Sequence, residues 1–170
     1  TLIITLERDL NLRIKVEAIL IICDFIMRIG KFVMVYVTKE RRATDFQKIW
    51  DDLKSLRVPI VVEGKRDTTA LRRLGIEADI IEINDGKSLL STVERISQKF
   101  GRSSQFIILM DWDKTGNKLA KQLISYGEAC DLIPNDKIRL SLSKFTAKEI
   151  SCVEELPTFV FNLGHKDLFL

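Results

Sequence analysis

The polar and apolar positions change period part-way along the chain. Over residues 42–56, RATDFQKIWDDLKSL, the apolar residues Phe46, Ile49, Trp50, Leu53 and Leu56 recur at helical spacing. That spacing predicts a helix with one face on a core, and Thr44 or Asp45 is placed to cap its start. Beyond Pro59, short continuous apolar runs take over. Residues 59–62, 79–83 and 105–110 each read as a buried strand, with a weaker strand near 128–133. Helical stretches lie between them: about 67–74 closed by Gly75, 87–100 closed by Gly101, and 117–126 closed by Gly127. Pro134 and Asn135 open a further helix over about 136–146, and a last helical segment surrounds 154–163. Strands alternating with helices predict an α/β fold, a mainly parallel sheet of about four strands between two helical layers.

The pattern also sets off the first part of the chain. Residues 14–37 are strongly apolar, yet Lys15, Glu17, Asp24, Arg28 and Lys31 interrupt them. No window of about 18 uncharged apolar residues remains, so no membrane span is expected, and no signal-peptide cleavage pattern stands out. Three readings stay open: a helix or strand pair packing on the main domain, a loosely attached extension, or an over-translated stretch ahead of a natural start at Met34. Residues 1–41 are therefore set apart as an extension without assigned role, and 42–165 as one domain.

Composition narrows the class without fixing it. The 170 residues give room for one domain with a good-sized core; 46% hydrophobic and 30% charged residues describe an ordinary globular chain. A net charge of +3, from 27 basic and 24 acidic residues, is compatible with a nucleic-acid partner but does not demand one. Cys23, Cys130 and Cys152 are odd in number and far apart, which suits reduced thiols in a cytoplasmic protein and lacks zinc spacing. His165, the single histidine, excludes a multi-histidine metal site and reads as a surface residue.

Chemistry concentrates where the strands end. Each of the three clear strands runs into acidic or amide residues beside glycine: Glu63-Gly64, Asn84-Asp85-Gly86, and Asp111-x-Asp113-x-x-Gly116. In parallel α/β sheets, ligands bind beyond the carboxyl ends of the strands. Asp111 and Asp113, two residues apart in extended chain, project to one side and repel. A divalent cation removes that conflict; magnesium takes carboxylate, phosphate and water oxygens, and Glu63 offers a third carboxylate. Two ions about 3.5–4 Å apart could share such a set. Lys65, Arg66, Lys87 and Lys114 follow the strand ends, and the helices after Gly64, Gly86 and Gly116 aim their amino ends at the same edge, as suits a phosphate. Blander readings stand beside these. In them Asp113 with Thr115 caps the third helix, Asp67 is a helix cap, Asp85-Gly86 a turn, Glu63 a loop acid, and the lysines are solvated.

With these residues in view the chain resembles the Toprim family. VPIVVEGKRDTTALRRLGI, with Glu63, Gly64 and Asp67, resembles its first motif; IILMDWDKTG resembles its Asp-x-Asp motif, with Gly116 in place. The likeness covers roughly residues 46–160. It is nearest to small stand-alone archaeal Toprim proteins, whose tail resembles CVEELPTFV, and more distant to the bacterial nuclease that matures 5S ribosomal RNA. The resemblance implies a Rossmann-like three-layer fold and Mg²⁺, for which Mn²⁺ could substitute, held by Glu63, Asp111 and Asp113. It also implies Glu63 as general acid or base; Gly64, Asp67 and Gly116 are supporting residues, and the strand-end pattern adds Asp85 to them.

Several activities of that family are excluded by what the chain lacks. Only Tyr36 and Tyr126 occur, with no room for a topoisomerase's nucleophile domain; the cysteines provide neither a primase zinc module nor the four-cysteine site of a recombination mediator; and no P-loop is present. The expected function is a metal-dependent nuclease or RNA-processing protein acting on phosphodiesters, in which Lys39–Arg42 (KERR) is an outer handle or a solvated face. The alternatives are a non-catalytic nucleic-acid-binding module, or a haloacid-dehalogenase-type phosphatase with Asp111 as nucleophile. That phosphatase would leave Glu63 unexplained, and the chain after Gly116 shows no later paired-aspartate motif.

Overall fold

The computed structural model describes residues 2–146 and 148–164, with side chains at 21–31, 33, 41–146 and 148–164. His165 and Lys39, both singled out above, lie outside the described side chains. The chain divides into two compact units, Thr1–Arg41 and Arg42–Leu170.

The first unit is helical, the leading part of α1 (Leu2–Ser55). Ile21, Phe25, Ile26 and Met27 are exposed on it, and Arg28 pairs with Asp24 at 2.9 Å one turn away. Among the described residues no helix is long and apolar enough to cross a membrane.

The second unit holds four strands in one all-parallel sheet: β1 (Ile60–Val62), β2 (Ile80–Glu82), β3 (Gln105–Ile108) and β4 (Ile133–Asn135), in the order β2-β1-β3-β4. The connections are α2 (Lys65–Arg73), α3 (Leu89–Phe100) and α4 (Lys114–Ala129). After β4 come α5 (Lys137–Thr146), a single 3₁₀ turn at Val153–Glu155, and α6 (Leu156–Leu163). This is a three-layer α/β/α fold, as the alternation of strands and helices predicts.

Alternation along the strands builds both layers. Ile60, Val62, Ile107 and Leu109 face a core made by the end of α1 with α2, α5 and α6, including Phe46, Trp50, Leu71, Leu142 and Phe159. Val61, Phe106, Ile108 and Met110 face the other way, onto Val93 and Ile96 of α3 and Ala120 and Leu123 of α4. Both faces of the central strands are covered, which is why β1 and β3 read as unbroken apolar runs. Phe46 and Trp50 stack at 5.8 Å, and the Trp50 indole N–H donates to the Leu74 carbonyl at 3.1 Å, so the large ring is buried without an orphaned donor.

Two boundaries differ from the sequence expectation. Gly127 does not end α4; it lies inside the helix, where a Cβ would come within 3.0 Å of the Phe106 ring, and Cys130 caps the helix. The glycine marks close helix–sheet packing rather than a stop. The fourth strand begins only at Ile133, because residues up to Ala129 stay in α4, and it carries Pro134, tolerated on an edge strand.

Candidate metal and phosphate site

The strand order places a reversal between β1 and β3. The chain steps from β1 outward to β2, then returns past β1 to β3. At such a switch point the connecting helices leave in opposite directions and open a crevice at the carboxyl ends. Glu63 directly follows β1, and Asp111 and Asp113 follow the apolar run of β3.

Glu63 and Asp111 are tied directly, and Asp113 stands at the start of α4 two residues on. The Glu63 Oε1 accepts a hydrogen bond from the Asp111 backbone N–H at 3.1 Å, tying the end of β1 to the first residue of the Asp-x-Asp turn. The Asp111 Oδ1 accepts from the Val153 N–H at 2.8 Å. The Asp113 Oδ1 accepts from the Gly116 N–H at 2.7 Å and so caps α4, the blander role weighed for it. One oxygen of each carboxylate is thus committed to a backbone donor.

Their electrostatics are frustrated. Burial, with the Glu63, Asp67 and Asp113 charges, pushes the Asp111 carboxyl up to about 6, although its bond from Val153 works the other way. Glu63 is raised for the same reasons: burial first, then the charges of Asp67 and Asp113, against the Asp111 N–H and Arg139. Asp67 is buried at the start of α2; its Oδ2 accepts from the Gly64 N–H at 3.0 Å, and burial with the Glu154 and Glu82 charges raises its carboxyl too. Carboxylates held above their ordinary range by burial and by one another are a charge conflict that a cation would relieve.

Glycine at 116 is enforced by close approach. A Cβ there would lie 2.0 Å from the Asp111 carbonyl oxygen and 2.6 Å from its carbon, both backbone atoms that cannot swing aside. Gly64 has only Asn84 near its Cβ position, at 3.6 Å, so it is a helix-start glycine rather than an obligatory one.

The cations divide. Lys65 and Arg66 open α2 and Lys114 opens α4, all exposed beside the carboxylates' turns, and Arg66 approaches Glu154 at 3.6 Å. Lys87 instead sits on the β2 turn at 3.9 Å from Asp85, which also pairs with Arg95 at 3.0 Å and accepts from the Lys87 N–H. Asp85 is thereby a turn and ion-pair residue. A cleft of about 600 Å³ between β2 and α3 is lined by Ile80, Glu82, Asp85, Arg95 and Lys99, and none of Glu63, Asp111 and Asp113 lines it. Arg42, from the KERR cluster, hydrogen-bonds Glu149 and lies over the Phe145 and Phe159 rings, so it serves packing rather than an outer handle. In the tail, Val153–Glu155 forms the 3₁₀ turn ahead of α6; Glu155 accepts from the Ser151 N–H, while Glu154 carries its charge towards Asp67.

Sequence reasoning passed over Arg139. It is 3% exposed, donating to the Met110 carbonyl at 2.8 Å and, through its Nη2, to the Asp111 carbonyl at 2.6 Å and Asn117 Oδ1 at 2.9 Å. Burial draws its pKa down, and Asp136, Asp111, Glu63 and Asp113 pull it back. The available signal was an arginine inside the buried stripe Ile138, Leu142, Thr146 of α5. The residues 150–153 were missed as well: the Trp112 N–H and indole N–H donate to the Ser151 and Ile150 carbonyls, strapping the tail to the turn. Cys152 lies beside them, its thiol pushed up to about 12 by burial and by Glu155 and Asp111, so it stays protonated and is no nucleophile at neutral pH.

The donor chemistry fits magnesium in part. Hard carboxylate oxygens are the right type, and Mg²⁺ characteristically keeps several waters and takes one or two carboxylates with substrate phosphate. Among the described residues, however, no three Asp, Glu, His or Cys side chains are gathered into a ready metal cage. A protein of Methanosarcina barkeri named a UPF0292 protein is 40% identical over 107 residues, covering 63% of this chain and 72% of its own. This chain belongs to the UPF0292 family. Another UPF0292 protein, from Methanocaldococcus jannaschii, is 32% identical over 125 residues, 71% of this chain and 95% of that one. These UPF0292 relatives are archaeal, and their name carries no activity. A search of family models returned no match. A solved structure of a protein from Aquifex aeolicus superposes with a TM-score of 0.55 at 24% identity, over 64% of this chain and 95% of that one, which supports the fold of the UPF0292 chain alone.

Proposed function

We propose that this UPF0292 protein is a Toprim-type, Mg²⁺-dependent protein that acts on nucleic-acid phosphodiesters as a nuclease or RNA-processing activity. The observation that carries the reading is the bond from the Asp111 N–H to Glu63, which ties the carboxylate beyond one strand to the backbone of the acidic turn beyond another at the sheet's switch point. Glu63, Asp111 and Asp113 would hold the ion through the oxygens not spent on backbone donors. When bound, Mg²⁺ would supply positive charge against the phosphate oxygens. Lys65, Arg66 and Lys114, with the amino ends of α2 and α4, orient the backbone of the substrate. Glu63, its carboxyl raised above the ordinary range first by burial, is suited to carry a proton to or from the reacting oxygen. The three cysteines form no disulfide, which suits a cytoplasmic setting.

Purified protein incubated with labelled RNA and DNA, with and without Mg²⁺ or Mn²⁺, tests this. Metal-dependent cleavage that Glu63→Gln and Asp111→Asn abolish is the expected result; cleavage surviving both substitutions rejects it. The lack of a closed cage among the described residues favours one second reading, a module that binds nucleic acid without cutting it. Crosslinking to RNA or DNA with no turnover would select that one.

A further inference from the structure

Arg139 is more deeply buried than any of the carboxylates near it, and it reaches them only through the backbone. Its three bonds join three elements: the end of the β3 run at Met110 and Asp111, the first turns of α4 at Asn117, and α5, which carries it. Asn117 in turn donates to the Trp112 carbonyl at 3.3 Å. The Asp-x-Asp turn is therefore gripped on two sides, by Arg139 on its carbonyls and by residues 150–153 on Trp112 and the Asp111 carboxylate. A guanidinium can serve such a set because its planar fork spreads donors over separate acceptors; an ammonium of the same charge cannot reach them in one geometry.

We propose that Arg139 is the positioning residue of this acidic edge: a buried fork that fixes the aim of the Asp111–Gly116 turn and places a permanent cation behind it. The inference rests on the metal-site reading for its second readout only. With the fork in place, the carbonyls of Met110 and Asp111 point inward and the acidic side chains stay on the open side. Without it, two buried carbonyls lose their donors and the turn relaxes.

Arg139→Lys keeps the charge and removes the fork. Hydrogen exchange in that variant is expected to rise about tenfold at the Val153 and Gly116 amides, the donors to Asp111 and Asp113, while the amides of Val61 and Leu123 in the other core layer keep their wild-type rates. Titrating Mg²⁺ alone by calorimetry at pH 8, where the carboxylates are ionised, is expected to show about tenfold weaker binding than wild type. Equal acceleration at all four amides, or none, overturns the proposal, because a merely structural arginine loosens the whole domain. Should the wild type bind no Mg²⁺, the metal-site reading fails, and the exchange pattern still decides the role of Arg139. If Arg139→Lys does not fold, Asn117→Ala removes one arm; faster exchange confined to Gly116 supports the proposal and unchanged exchange overturns it.

Discussion

The ends of β2 and β3 use nearly the same letters and arrive at opposite states. Both strands run to one edge of the sheet and are followed three residues later by an aspartate, Asp85 or Asp111, with a glycine further on. At the β2 end, burial is the largest single effect on Asp85, but the Lys87 N–H with the Arg95 and Lys87 charges together outweigh it and hold its carboxyl below the usual range. At the β3 end, burial and three neighbouring carboxylates lift Asp111 to about 6. An aspartate at a strand end is therefore not itself a site. What surrounds it decides: cations and solvent make a turn, other acids and partial burial make a carboxyl that holds its proton more tightly.

The largest test of that contrast is functional. Asp111→Asn and Glu63→Gln are expected to lower Mg²⁺-dependent cleavage by about 10³-fold or more, while Asp85→Asn stays within about twofold of wild type. Rates for the three variants on one RNA or DNA substrate, at fixed salt, make the comparison. An Asp85→Asn loss as large as that of Asp111→Asn would break it.

Next in size is the glycine contrast. Gly116→Ala forces a Cβ into the backbone of Asp111, and overpacking against atoms that cannot move costs about 3 kcal/mol or more, a Tm lower by about 10 °C. Gly86→Ala meets open space, and only its φ of 80° opposes a side chain, at about 1 kcal/mol. Thermal melts of the two variants separate a turn built against the site from one that is only a turn.

The pH dependence follows from Asp111. Its folded-state pKa of about 6 lies above its unfolded value of 3.8, so the proton binds the folded form more tightly. The stability this contributes is fully present below about pH 4 and is lost as the pH rises through 6. Metal-free protein should therefore gain about 3 °C in Tm between pH 8 and pH 5 from this group, after discounting for its partial exposure, and Asp111→Asn should flatten that part of the profile. Added Mg²⁺ at pH 8 would restore what the proton supplies at pH 5.

Most of this architecture was legible from residue types and spacing, and the misses share one cause. The buried strands, the α2–α3–α4 alternation and the placing of Glu63 and Asp111 beyond strand ends follow from local pattern, because apolar runs and strand-end acids are properties of consecutive residues. Gly127 misled because a glycine that ends a helix and a glycine that admits a neighbouring ring look alike until Phe106 is placed. Lys87, grouped in sequence with the phosphate-facing lysines, lies 3.9 Å from Asp85, two residues before it. Arg139 and the residues 150–153 act across distances in sequence that no period spans; only the fold brings α5 and the tail behind the Asp-x-Asp turn.

The smallest effect is one of sign. Asp85→Asn removes an exposed charge from two ion pairs, and exposed pairs are weak and salt-screened, so Tm should fall by less than about 2 °C at low salt and by less still at 1 M. Asp111→Asn removes a charge that its neighbours oppose and leaves an amide oxygen able to accept from Val153, so in metal-free protein at pH 8 Tm should rise. Two identical substitutions at two strand ends on one edge of the sheet would thus move stability in opposite directions. Such a rise at 111, coupled with loss of metal binding, is the pattern of a residue kept for a ligand at the expense of the fold. A fall at both positions would mean that Asp111 is a structural acid like Asp85.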